Sequence, residues 1–208
     1  MSSRMNADER RKQILTAATR VFAESNYGAA RVAAIAEAGG VSEALLYKHF
    51  PSKKALFCEI LERVGVRIVE IWEKAVANET DALEALRRAG EIYVDNLRDH
   101  RAEAALQFQA LAETADPEIA AVLRTNHLRY IAFFEELVRR GQHQGVIRCD
   151  LDPHVVATIL NGTGLTFTLV QRLDLEGADV GPGPMITAQL DWLSQSPQPS
   201  QLKEKEGP

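Results

Sequence analysis

The chain has 208 residues, 46% of them hydrophobic and 25% charged, with a formal net charge of −5. That is material for one or two packed domains and excludes a highly charged disordered chain. No apolar run approaches the roughly 20 residues that span a bilayer, the opening MSSRMNADERRKQ has no signal-peptide core, and Cys58 and Cys149 form neither a disulfide framework nor a zinc spacing, so a soluble cytoplasmic protein without metal, cofactor or membrane partner is expected.

Helix periodicity dominates, and nothing alternates with period two for long, which predicts an all-α fold. Asn6, with Glu9 three residues on, can cap a first helix. Its apolar stripe is Ile14, Leu15, Ala18, Val21 and Phe22, and Asn26-Tyr27-Gly28 ends it. Two short helices follow, over about 31–38 and 42–49, around a Gly-Gly turn. A long helix starts at Pro51-Ser52 and keeps apolar spacing to about residue 77. Further helices are predicted over 80–99, 101–114, 117–140, 152–174 and 184–195. Breaks are predicted at Gly141–Gly145 and at Gly177–Pro184. The tail beyond residue 195 has no apolar periodicity and reads as disordered.

The segment Arg31–Phe57, RVAAIAEAGGVSEALLYKHFPSKKALF, has the layout of a helix-turn-helix DNA reader. Val32, Ile35 and Ala36 give the first short helix one apolar face. Gly40 sits where the turn demands positive φ, which glycine adopts without strain. Ser42 is a good N-cap for the second helix. Leu46 and Phe50, four apart, point into a small core. Ser42, Glu43, Ala44, Leu45, Tyr47 and Lys48 then lie on the DNA-facing side. Tyr47, Lys48, His49 and Lys53 carry donors suited to phosphate oxygens, and such contacts position a protein on DNA without reading its sequence. Arg31 is a candidate for a phosphate or guanine contact. The charge supports this reading: residues 1–57 carry nine Lys/Arg against five Asp/Glu, and residues 58–208 carry 15 against 24. A basic head on an acidic body suits a protein that touches a polyanion with one end.

The segment resembles the DNA-binding domain of the TetR/AcrR family of bacterial transcriptional regulators. The resemblance rests on Ile35-Ala36, Gly40-Val41-Ser42, Leu46-Tyr47-Lys48-His49-Phe50 and Lys53, with Ile14-Leu15, Ala18 and Val21-Phe22 matching the family's first helix. It implies phosphate contacts for Tyr47, His49 and Lys53, with Leu46 and Phe50 in the core. Two positions depart: Arg31 and Leu45 stand where family members often carry Thr, or Thr/Ser. Leu45 and Ala44 would instead pack on thymine methyl groups, and Glu43 would accept from cytosine N4.

The resemblance further implies a body that dimerises and encloses a small effector. The expected division is a helix-turn-helix head over 8–68, a helical effector-binding and dimerisation domain over 69–195, and the tail over 196–208. Candidate effector-pocket residues are the polar and aromatic side chains inside otherwise apolar helices: Trp72, Tyr93, Asn96, Gln107, Phe108, His127, Tyr130, Phe134 and Asn161. The 152–174 helix is apolar around its whole circumference, with Gly162 and Gly164 open to close approach. With the last helix it is expected to bury one face on its own subunit and another on a partner, as the interface of a homodimer; the alternative is a central core helix of a monomer.

The sequence around Cys149, Asp152 and His154 reads as a helix cap and a helix-starting proline rather than a metal site. No nucleophile elbow, phosphate loop or paired catalytic motif is present, so an enzyme is not expected. The expected function is a sequence-specific operator-binding repressor released by a small-molecule effector, in the bacterial cytoplasm. The alternative is a DNA-binding architectural or adaptor protein whose helical body binds a protein partner.

Overall fold

A computed structural model describes residues 6–175 and 181–194. The described residues form nine α-helices and no strand: α1 (Ala7–Ser25), α2 (Val32–Ala38), α3 (Glu43–His49), α4 (Lys53–Val76), α5 (Ala82–Asp99), α6 (Arg101–Ala110), α7 (Pro117–Gln144), α8 (Pro153–Arg172) and α9 (Pro182–Ser194). The all-α prediction holds. The expected tail over 196–208 and residues 177–180 of the predicted Gly177–Pro184 break lie outside the described residues, and α9 begins at Pro182, two residues before the predicted start.

Local chemistry accounts for the starts of α1, α3, α4 and α8 and the end of α1. Asn6 and Glu9 form a reciprocal capping box at α1, with bonds of 2.8 and 2.9 Å. Asn26 ends that helix at φ +65° and ψ 165°, a backbone region that residues other than glycine seldom adopt, and its side chain accepts from the Ala29 N–H at 3.0 Å. Ser42 caps α3 by accepting from the Leu45 N–H at 3.2 Å, Ser52 caps α4 through the Ala55 N–H at 3.0 Å, and Asp152 caps α8 through the Val155 N–H at 3.0 Å.

The helices pack as two compact units with separate cores. One comprises the chain up to Lys74 with Ile92–Tyr130; the other comprises Ala75–Glu91 and the chain from Ile131 on. In the first, Ile14, Ala18, Phe22, Ile35, Leu46, Leu56 and Phe57 are fully enclosed. The Phe57 ring packs edge-on against Phe22 at 5.1 Å and at a shallow tilt against Tyr27 at 4.5 Å. α6 lies against α1, and Asn126 of α7 donates from Nδ2 to the Leu61 carbonyl of α4 at 2.9 Å. That carboxamide occupies the place where Gly65 lacks a side chain: a Cβ there would fall 2.2 Å from Asn126 Cγ.

In the second unit Ala82, Ala85, Ala89, Val138, Ile147, Ala157 and Leu193 are enclosed. The break predicted at Gly141–Gly145 occurs only at its last residue. α7 continues through Gly141 to Gln144, and only Gly145, at φ +72°, makes the turn. Gly141 serves packing instead, since a Cβ there would lie 2.5 Å from Ile147 Cδ1 and 3.1 Å from Ala82 Cβ. The helix predicted over 101–114 is also shorter: it tightens into a 3-10 turn over Leu111–Glu113. Gln144 ties the end of α7 to the start of α5, accepting from the Ala82 N–H at 3.0 Å and donating to the Thr80 carbonyl at 2.6 Å.

Candidate nucleic-acid interface

α2, the turn and α3 present one face built by backbone constraints. Ile35 and Ala36 bury the inner side of α2, and the chain reverses at Gly40, whose φ is +59°. Gly39, just before it, is buried; a Cβ there would stand 3.2 Å from the Ile35 carbonyl oxygen and 3.5 Å from Ala17 Cβ. Leu46 and Phe50 anchor α3 in the core, as their spacing predicted. The opposite side of α3 is open: Glu43, Ala44 and Lys48 are exposed, and Tyr47 is 46% exposed. Leu45 and His49 are half-buried at the flanks. Ser42 is exposed at the helix start, and Arg31 is exposed at the start of α2 without a side-chain capping bond. The α3 residues and Ser42 thus come together on one surface.

Two cations that support this surface escaped the sequence reading of their roles. Arg11 of α1 forms a bidentate pair with Glu59 of α4, donates from Nη1 to the His49 carbonyl at 2.7 Å, and lies 4.3 Å from the centre of the Phe50 ring. It locks the end of α3 to the helices on either side. Lys53 turns inward. Its Nζ reaches the carbonyls of Tyr27, Gly28 and Ala30 at 2.9, 3.3 and 3.1 Å and sits over the Tyr27 ring. All three ammonium hydrogens are matched by carbonyls of the α1–α2 turn, so in this conformation Lys53 is a clamp on that turn. Helix periodicity carries no sign of such contacts, because the carbonyls that Lys53 meets and the Glu59 carboxylate and His49 carbonyl that Arg11 meets lie 23–48 residues away in the chain.

The candidate effector residues divide between the two units. In the first, Trp72 meets Tyr93 at 5.7 Å and Tyr130 at 5.4 Å, His127 meets Tyr130 at 5.5 Å, and Gln107 Nε2 lies 3.4 Å from the Tyr130 hydroxyl. Burial pushes the Tyr130 phenol well above its usual range, so it stays neutral and able to hydrogen-bond. Asn96 belongs to the same unit; its Oδ1 is buried without a protein partner. Phe108, also there, is 36% exposed. Phe134 is buried and Asn161 half-buried in the second unit. Next to the aromatic group, Arg67 of α4 pairs with Glu103 of α6 through both terminal nitrogens.

Two family models match the chain: "Bacterial regulatory proteins, tetR family" over residues 14–60, and "Tetracyclin repressor-like, C-terminal domain" over residues 79–166. The chain belongs to the TetR family. Among relatives, it is 35% identical over 122 residues to the transcriptional activator FasR of Mycolicibacterium smegmatis, a match covering 59% of this chain and just 55% of FasR. It is 28% identical over 178 residues to the transcriptional regulator UidR of Escherichia coli K12, covering 84% of this chain and 85% of UidR. Among solved structures, a putative transcriptional regulator from Saccharomonospora viridis in complex with choline superposes with a TM-score of 0.74 at 27% identity, covering 89% of this chain and 95% of that one. As a TetR-family member the chain is a DNA-binding transcriptional regulator. The amino-terminal model spans from α1 to the first turns of α4, the elements that frame the exposed face of α3. No helix among the described residues is long and apolar enough to cross a membrane.

Proposed function

We propose that this TetR-family regulator binds a two-fold symmetric operator as a homodimer and is released from it by a small molecule held in its helical body. The observation that carries the reading is the exposed face of α3: Glu43, Ala44, Tyr47 and Lys48 point outward, while Leu46 and Phe50 fix the helix from behind. In such motifs the first turns of the second helix enter the major groove. Ser42, Glu43, Ala44 and Leu45 read base edges. Tyr47, Lys48, His49 and Arg31 hold phosphates. Lys53 acts chiefly by keeping the α1–α2 turn in place. The head corresponds to residues 8–68 and the body to 69–195.

Dimerisation through α8 and α9 is favoured by what a single chain leaves uncovered. Val155, Ile159 and Leu169 of α8 and Leu173 at its C-cap are 41–59% exposed, and Gly162 has nothing within 4 Å of a Cβ position. Together with Thr166 their spacing alternates four and three residues, the repeat of a helix-to-helix seam. Trp192 of α9 is 37% exposed. Apolar surface of this kind is what an isologous interface would cover.

The effector reading rests on the Trp72, Tyr93, Gln107, His127 and Tyr130 group, an aromatic lining with few polar handles. Trp72 lies on α4 about 29 Å along the axis from Lys53. A ligand against Trp72 therefore acts on the helix whose first turns carry the head. Half-sites one DNA turn apart are about 34–36 Å apart, so a displacement of a few Å would mismatch the two heads. A near-complete switch needs the ligand to favour the DNA-incompetent state by about 5.5 kcal/mol.

Binding-site selection from random duplex DNA at fixed salt tests the first half. A palindromic consensus is expected, and weak salt-sensitive binding without a consensus would overturn it. For the second half, compounds that raise the melting temperature of the full chain are added to the operator complex. Hits should lower operator affinity, and Tyr130→Phe should weaken their effect. Hits that bind but leave operator affinity unchanged would sink the release mechanism.

A further inference from the structure

Within the unit that carries α3, a cavity of about 610 Å³ opens between α1, α4 and the junction of α5 with α6. No residue of the aromatic group around Trp72 lines it, although the Arg67–Glu103 pair beside that group does. Its apolar part is formed by Leu15, Ile60, Val64 and Ala102. Its charged part is mostly cationic, with Lys12 and Arg20 from α1, Arg63 and Arg67 from α4, and Arg101 from α6, against Asp99 and Glu103. These charges are not equally available. Arg67 is committed to Glu103, and Arg63 to Glu59. Lys12, Arg20 and Arg101 have no ion-pair partner among the described residues. Among the described residues, three exposed cations without an ion-pair partner, from two helices, therefore face one apolar-floored cavity against a single unpaired carboxylate, Asp99.

Two features refine the chemistry of an occupant. Lys12 and Arg20 are eight residues apart on one face of α1, about 12 Å along its axis, with Leu15, Thr16 and Thr19 between them at the cavity wall. His100, the N-cap position of α6, makes no side-chain capping bond. The first N–H groups of α6 thus lie at the cavity without intrahelical partners, at the positive end of the helix dipole. A compact anion such as a single phosphate would meet one cation of α1 and leave the apolar floor unused. An elongated molecule with an anionic group at each end of an apolar segment would use both cations and the floor together. The volume lies within the usual range of small-molecule sites.

We infer that this cavity is a binding site for an elongated organic dianion, whose anionic ends, phosphate or carboxylate, are held by Lys12 and Arg20 with Arg101, and whose apolar segment lies on Leu15, Ile60 and Val64. The site joins α1 to α4 and α6 and is distinct from the effector group at Trp72. It does not depend on the operator-release reading.

Isothermal titration calorimetry on the full-length protein tests it with four probes at one ionic strength: hexane-1,6-diol bisphosphate, octanedioate, inorganic phosphate and hexane-1,6-diol. At least one of the two dianions should bind at least tenfold more tightly than inorganic phosphate or the uncharged diol, and which one does so tells phosphate from carboxylate recognition. Lys12→Gln with Arg20→Gln should lower that affinity at least tenfold while the melting temperature holds. Arg101→Gln alone, on the other helix, should weaken it as well, which keeps the test valid if the double variant folds poorly. Three results would overturn the site: no dianion binding at millimolar concentration, inorganic phosphate binding as tightly as the dianions, or unchanged dianion affinity in both variants. A fourth would reassign it. If the dianions do not bind and the variants instead lose DNA affinity with a shallower salt dependence, these cations are phosphate contacts to DNA.

Discussion

Tyr47 and Lys53, six residues apart, carry opposite expectations for mutation. Tyr47 projects from the open face of α3 and touches little of the fold. Tyr47→Ala should weaken operator binding and leave the melting temperature within about a degree of the parent, as surface substitutions usually change stability by under ~0.5 kcal/mol. A large drop in thermal stability would contradict that placement. Lys53 holds three carbonyls of the α1–α2 turn. Lys53→Ala removes charge-assisted bonds that contribute about 1.5–3 kcal/mol apiece at most and share one ammonium group. Thermal unfolding should register a clear loss, several degrees for a chain of this size. Lys48, exposed beside Tyr47, separates affinity from stability in the other direction. Lys48→Ala should flatten the dependence of log K on log salt by roughly one unit with no change in melting temperature.

At the scale of elements, glycines and ion pairs decide how helices meet. Gly65 in mid-α4 costs helix propensity, but it makes room for Asn126 of α7. Gly65→Ala should therefore destabilise by about 1–3 kcal/mol, the usual range for overpacking, despite alanine's better propensity. Adding Asn126→Ala should recover part of that loss, and denaturant unfolding of the two single variants and the double variant would measure the coupling. The amino ends of α4 and α7 are tied by Lys54, which reaches Asp116 at 3.1 Å and Glu118 at 2.5 Å. Partial burial raises the Asp116 carboxyl, but Lys54 and the N–H groups of Glu118 and Ile119 outweigh it and hold the group below the usual carboxylate range. A carboxyl lowered on folding stabilises the fold above its unfolded value, near 4, and that contribution is lost as pH falls through the folded value. Melting temperature should decline on acidification below about pH 4, and Asp116→Asn should flatten that decline while costing stability at pH 7. An identical acid profile in the variant would remove this pair from the account.

At the scale of the whole molecule, a single chain leaves α8 unfinished. One side packs through Val156, Ala157, Phe167 and Val170, while Val155, Ile159, Leu169 and Leu173 face out. If that face is the seam between two copies, Leu169→Glu should shift the protein toward monomer in sedimentation. It should also weaken binding to a two-half-site operator far more than to a single half-site. Retention of the dimer would place the interface elsewhere.

The sequence by itself determined the parts whose physics is local. Capping residues within three positions of their targets, glycine at a positive-φ turn, and apolar spacing on a single helix marked the ends of α1, α3 and α8 and the inward residues Leu46 and Phe50. The motif around Gly40 to Lys53 was enough to place the family. Tertiary structure decided what depends on partners distant along the chain. Gly141 reads as a breaker in isolation, and only Ile147 and Ala82 crowding its open side make it an interior helix residue. Lys53 reads as a phosphate donor, yet the carbonyls it meets lie 23–26 residues away. Of the nine candidate effector residues, packing joined Trp72, Tyr93, Gln107, His127 and Tyr130 and placed Phe134 and Asn161 in the other unit. The cavity faced by Lys12, Arg20 and Arg101 left no mark on the sequence at all. Each of those residues is an ordinary solvated cation on its own helix, and only the approach of α6 to α1 turns them into one field of charge.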